Sequence, residues 1–137
     1  LARRGLDVVG VDIDPEMLAT ARSKAPDVDW RLADLATVDL HRSFAAAVLA
    51  GNVMIFLTPG TESVVVANVA GHLQPDGLLI AGFQLMPRRL TVQRYDEMAA
   101  AVGLVLTERW STWDRDVWDP GAGYAVSVHR RAAADSA

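Results

Sequence analysis

Strand-like and helical patterns alternate along this chain, and the spacing of apolar positions predicts where each begins and ends. Residues 8–11 (Val-Val-Gly-Val) form an apolar run ending at Asp12, the pattern of a parallel strand covered on both faces. Asp14 is placed to cap a helix, with Pro15 at its first position and Glu16 in its first turn. Met17, Leu18 and Ala21 give that helix an inward stripe, and Pro26 stops it. Residues 28–33 predict a second strand that exits at Asp34, and residues 45–50 a third, closed by Gly51-Asn52. After a turn at Thr58-Pro-Gly-Thr61, Val65, Val69 and Leu73 recur at helical spacing. Gln74-Pro-Asp-Gly77 predicts a turn, and residues 78–83 a fourth buried strand. A further helix is expected from about Thr91, with Val92, Tyr95, Ala99 and Val102 inward and Gly103 at its end. Residues 104–110 and 124–129 complete the series. In the latter, Tyr124, Val126 and Val128 alternate with Ala125, Ser127 and His129, which predicts a half-exposed strand linked to its neighbour as a hairpin.

Strand–helix alternation followed by an antiparallel hairpin predicts an α/β fold, with a mostly parallel sheet and helices on both faces. No repeat or linker divides the sequence, so residues 1–137 are expected to form one domain. Ligands of such sheets bind beyond the carboxyl ends of the strands. Asp12, Asp34 and Gly51-Asn52 all fall at predicted carboxyl ends, so three loops are expected to meet at one crevice.

Composition narrows the chemistry. Half the residues are hydrophobic, enough for a real core, and 17 acids against 13 bases give a formal charge of −4. With no basic cluster larger than a pair, nucleic-acid binding is disfavoured. The absence of cysteine excludes disulfides, thiolate metal sites and a cysteine nucleophile. Residues 45–57 are broken by Gly51-Asn52, so no apolar run reaches membrane-spanning length, and the start has no signal-peptide pattern. These features predict a cytoplasmic domain with no membrane partner.

Asp12 is the most informative residue. A strand ending in an acid is how nucleotide-binding α/β folds hold a ribose diol, because an ionised carboxylate can accept from both hydroxyls. In such folds the acid follows a glycine-rich turn by about 20 residues, and that distance before Asp12 falls ahead of Leu1. The expectation is an incomplete copy of the fold.

Four stretches together resemble the class I S-adenosylmethionine-dependent methyltransferases, of the small bacterial type. They are Val8-Val-Gly-Val-Asp12-Ile-Asp-Pro-Glu-Met-Leu18, Arg31-Leu-Ala-Asp34-Leu35, Ala47-Val-Leu-Ala-Gly-Asn52-Val-Met-Ile-Phe-Leu57 and Leu73-Gln-Pro-Asp-Gly-Leu-Leu-Ile80. The resemblance continues through Tyr95-Asp96 and Trp110-Ser-Thr-Trp-Asp114 to the last strand. It implies a Rossmann-like fold and S-adenosyl-L-methionine as cofactor. Asp12 would lie on the ribose hydroxyls and Ile13 on one adenine face. Asp34 would accept from the adenine amino group with Leu35 beside the ring, and Gly51 and Asn52 would lie along the methionine part. The family's first strand and glycine-rich turn have no counterpart, and residues 1–5 resemble the end of the helix that follows that turn. That strand is central in the family's sheet, so its loss would expose strand edges through which copies could associate. The acceptor is expected to be a small molecule. Two alternatives are a nicotinamide-dependent oxidoreductase fragment, poorly served by the single lysine Lys24, and a non-catalytic module that binds a partner.

Methyl transfer requires no protein nucleophile, and no catalytic residue is assigned. Asp114, Tyr124 and His72 are conceivable bases for a hydroxyl acceptor. His41, His72 and His129 lack metal-like spacing, so no metal site is expected, and His129 falls on the open face of the last strand. Trp110, Trp113 and Trp118, interleaved with Asp114, Asp116 and Asp119, form either a wall for a cationic acceptor or a cover for the sheet end. Arg88 and Arg89 are either solvated or available to an acidic substrate.

Overall fold

The computed structural model describes residues 7–50, 53–55 and 57–132. These divide into two compact units that meet in sequence at Asp39 and Leu40.

The first unit is a β–α–β element. Strand β1 (Val9–Asp12) and strand β2 (Asp29–Leu32) pair in parallel, Val9 opposite Asp29 and Asp12 opposite Leu32. Helix α1 (Pro15–Lys24) connects them. Its start follows the sequence reading: Asp14 Oδ1 accepts from the Glu16 and Met17 amides at 2.8 and 3.4 Å, satisfying donors the helix leaves open. Only part of the predicted stripe points inward. Leu18 is buried, whereas Met17 is 59% exposed. Gly10 lets the Trp30 ring lie across β1, and Trp30 Nε1 donates to the Ala25 carbonyl at 2.8 Å, tying the end of α1 to β2.

The second unit holds a four-stranded mixed sheet. Strands β3 (Phe44–Leu49), β4 (Leu73–Gln84), β5 (Leu104–Trp110) and β6 (Tyr124–Arg131) are ordered β3-β4-β6-β5. The β3–β4 pair is parallel, and β6 runs antiparallel to both β4 and β5, giving the expected C-terminal hairpin. A short 3₁₀ turn (Val53–Ile55) and helix α2 (Glu62–Gly71) connect β3 to β4, and helix α3 (Val92–Ala100) precedes β5. Thr91 caps α3, its hydroxyl accepting from the Arg94 amide at 3.1 Å.

Two sequence expectations are corrected here. Leu73 opens β4 instead of closing α2, and the Gln74–Gly77 turn is an interruption within that strand. Phe44 pairs with Leu73 and Ala46 with Leu78, so β4 carries extra residues against β3, with Asp76 left-handed at φ 65°. The second correction is burial of β6, whose residues 125–129 are all enclosed because the strand lies between two neighbours with both faces covered. Leu79, Ala81 and Phe83 share one face with Ala125, Ser127 and His129, and Tyr95 of α3 meets Phe83 edge-on at 5.5 Å. On the other face the Trp113 indole packs against Gly82. Trp113 thus serves as a cover for this part of the sheet.

Candidate functional site

The two acids singled out from the sequence lie at the carboxyl ends of the paired strands β1 and β2. The Ala33 amide donates to the Asp12 carbonyl at 2.9 Å, so the strand exits are joined by backbone immediately before Asp34. Asp12 is half-buried, and its Oδ1 accepts from the Asp14 amide at 2.9 Å. That bond shapes the turn while the carboxylate retains further acceptor positions. Asp34 is exposed and accepts from the Ala36 amide at 2.9 Å, forming the turn that carries Leu35. Ile13 is 66% exposed, an apolar side chain open to solvent directly after Asp12. Asp12, Ile13, Asp34 and Leu35 therefore belong to one strand-end surface of the first unit. Gly51 and Asn52 lie outside the described residues, as do residues 1–5.

The second unit contains a cavity of about 240 Å³ beyond the carboxyl ends of β3 and β4. Met54, Ile55, Leu57, Leu90 and Met98 supply its apolar lining, and Arg88, Arg89, Arg94 and Glu62 its charge. Arg88 and Arg89 were visible as a pair in the sequence. Arg94 was missed, because only the fold of the 85–91 loop onto α3 brings it to the same cavity.

The conceivable bases differ in availability. His72 Nδ1 lies 2.8 Å from the Asn68 carbonyl, and Nε2 accepts from the Leu40 amide at 3.1 Å. Both ring nitrogens are thus engaged with backbone, which gives His72 a structural role. Tyr124 Oη accepts from Trp113 Nε1 at 3.1 Å, and Asp114 is exposed.

His129 corrects a further expectation. It is 1% exposed, and its Nε2 lies 3.0 Å from Asp96 Oδ1. Arg109 forks onto the same carboxylate, Nη1 to Oδ2 at 3.1 Å and Nη2 to Oδ1 at 2.5 Å, and its Nε donates to Ser127 Oγ at 2.9 Å. This network clamps α3 to β5 and β6. Burial pushes the His129 pKa down from its ordinary value, with Asp96 opposing the shift, and burial pushes the Tyr95 hydroxyl up. Among the described residues no cluster of His, Asp or Glu has metal-binding geometry, and no helix is long and apolar enough to cross a membrane.

A family model described as a methyltransferase domain matches residues 1–77. A search of curated proteins returns no match. Among solved structures, the chain is similar to a TehB-like SAM-dependent methyltransferase from Corynebacterium glutamicum. Identity is 30% and the TM-score 0.87, covering 95% of this chain and 71% of that one. The CcbJ methyltransferase from Streptomyces caelestis shares 21% identity with a TM-score of 0.84, over 96% of this chain and 77% of its own. CalS10, an amino pentose methyltransferase from Micromonospora echinaspora solved with SAM bound, shares 21% with a TM-score of 0.77, over 90% and 73%. These last two show the shared fold. The chain belongs to the methyltransferase-domain family, the class I S-adenosylmethionine-dependent enzymes with a Rossmann-like α/β fold. Membership sets aside the nicotinamide-dependent reading.

Proposed function

We propose that this chain takes part in methyl transfer from S-adenosylmethionine to a small-molecule acceptor, with Asp12, Ile13, Asp34 and Leu35 holding the adenosine end of the cofactor. The carrying observation is an exposed apolar residue, Ile13, directly after one of two strand-end acids on paired strands, with the Ala33 amide bonded to the Asp12 carbonyl just before the second acid, Asp34. A purine buried against Ile13 removes apolar surface from water, and Asp12 offers an anionic acceptor at the distance of a neighbouring side chain. The residues present therefore fit the nucleoside half of the group.

When bound, S-adenosylmethionine supplies a methyl carbon on a positively charged sulfur, activated for in-line displacement by an acceptor lone pair. The chain's contribution is to align the two partners and exclude water. Gly51 and Asn52 are proposed to line the methionine portion. The glycine-rich turn of the family is proposed to lie upstream of the sequence described here, and β1 and β3 each have an edge free among the described residues to pair with an added strand.

The test is calorimetric titration of S-adenosylhomocysteine into this chain and into a version extended upstream through the glycine-rich turn. Binding to the extended chain, weaker or undetectable in the shorter one, is the expected result. Failure of both to bind would remove the cofactor role of Asp12.

A further inference from the structure

We propose that the cavity beyond β3 and β4 is an acceptor seat for a small apolar carboxylic acid, whose carboxylate is held by Arg88, Arg89 and Arg94. Its role as the acceptor seat rests on the methyl-transfer reading; its preference for an acid rests on the cavity alone.

The arginines elsewhere among the described residues have partners. Arg109 and Arg130 pair with Asp96 and Asp76, Arg31 with Asp29, and Arg131 with the Ala70 and Leu73 carbonyls. Arg42 and Arg115 lie over aromatic rings, and Arg22 reaches the Trp30 carbonyl. Arg88, Arg89 and Arg94 make no side-chain hydrogen bond or ion pair among the described residues, and all three line one cavity. The only acid in that lining, Glu62, is occupied with the Gly60 amide at 2.8 Å. Three cations against one carboxylate leave the cavity with a surplus of positive charge.

Local backbone structure brings these three arginines to the lining of one cavity. The Arg89 amide closes a turn onto the Met86 carbonyl at 3.1 Å, and Arg88 adopts a left-handed φ of 61°. Arg94 follows three residues after the cap of α3. Arginine suits a carboxylate because its planar fork matches two oxygens, and each charge-assisted bond exceeds a neutral one. Methionines 54 and 98 and leucines 57 and 90 demand an apolar body beneath that head. A volume of about 240 Å³ lies under the range of about 300–1,000 Å³ typical of drug-sized ligands, so the occupant is small. The location, at strand carboxyl ends, is where α/β sheets place ligands.

The test uses phenylacetate, its neutral analogue phenylacetamide and inorganic phosphate, titrated separately into the chain. Arginine Nε–H and methionine methyl NMR resonances report binding at the cavity, and S-adenosylhomocysteine is titrated into both this chain and the upstream-extended one. Phenylacetate is expected to shift the Met54, Met98 and arginine signals saturably. Phenylacetamide should bind about tenfold or more weakly, as should phenylacetate to a folded R89Q/R94Q variant. Equal binding of acid and amide, an unchanged affinity in that variant, phosphate binding as tightly as phenylacetate, or no saturable shift would each overturn the proposal. Phenylacetate binding as expected, with S-adenosylhomocysteine binding neither this chain nor the upstream-extended one, would leave the anion seat standing and remove its methyl-transfer role. The reverse pattern would remove the seat alone.

Discussion

Asp12 and His129 mark the two extremes of what a single residue reveals in this chain. The position of Asp12 was legible because it depends on local order: a strand, an acid, then a separate capping acid at Asp14, all within a few residues. Replacing Asp12 with asparagine preserves an oxygen acceptor for the Asp14 amide while removing the charge. Where S-adenosylhomocysteine binds, D12N is therefore expected to weaken it about ten- to hundredfold in calorimetry, with little change in melting temperature. A large loss of stability with unchanged affinity would mark Asp12 as a turn residue only. His129 was misread because alternation along one strand cannot reveal what covers each face. Its burial against Asp96, Arg109 and Tyr95 makes stability depend on pH with a definite sign. The folded pKa lies below the unfolded value of about 6.5, so the unfolded chain binds more protons between the two. The stabilisation is complete above about pH 6.5 and is lost as pH falls towards the folded value. Urea denaturation from pH 7.5 to 5 should show this decline in the parent chain and a shallower one in H129Q. Equal slopes would assign the acid sensitivity to other groups.

At the scale of elements, helix starts were readable because caps are chemical signals: Asp14 and Thr91 both accept from first-turn amides. The interruption in β4 was not readable as such, since a Gln-Pro-Asp-Gly sequence signals a turn whether or not the strand resumes. That interruption depends on Gly77, where an added Cβ would approach the Gln74 and Ala45 carbonyl oxygens at 2.8 and 3.2 Å. Both are backbone atoms of the parallel pair and have little room to yield. Gly82 offers a contrast, because the atoms facing its Cβ belong to the side chains of Trp113 and Tyr124, at 2.5 and 2.8 Å for the nearest of each. Trp113 is 43% exposed and can swing outward. G77A is expected to cost about 1–3 kcal/mol in chemical denaturation, as overpacking against fixed structure does. G82A should cost less but change the tryptophan fluorescence, because it separates Trp113 from Tyr124 Oη. The opposite ranking would mean that the β3–β4 pairing gives way more readily than the indole.

For the whole molecule, the decisive feature is the edge of the second unit's sheet. The alternation of elements was enough to foresee an α/β fold and its terminal hairpin. Strand order was not, because pairing depends on contacts distant in sequence. Strand β3 is a sheet edge among the described residues, and Val48 on it is 42% exposed while opposite Ile80 of β4. An uncovered apolar edge offers backbone donors and acceptors to any matching strand, including one from a second copy. The chain described here is therefore expected to associate with rising concentration in sedimentation equilibrium. Lysine at position 48 should suppress that association, since a charge on an edge strand opposes pairing with another. The upstream-extended chain should remain monomeric if its added strand occupies the same edge. Association of both parent forms to the same extent, undiminished by V48K, would place the contact elsewhere. A parent chain that stays monomeric throughout would show that its β3 edge is not an association surface.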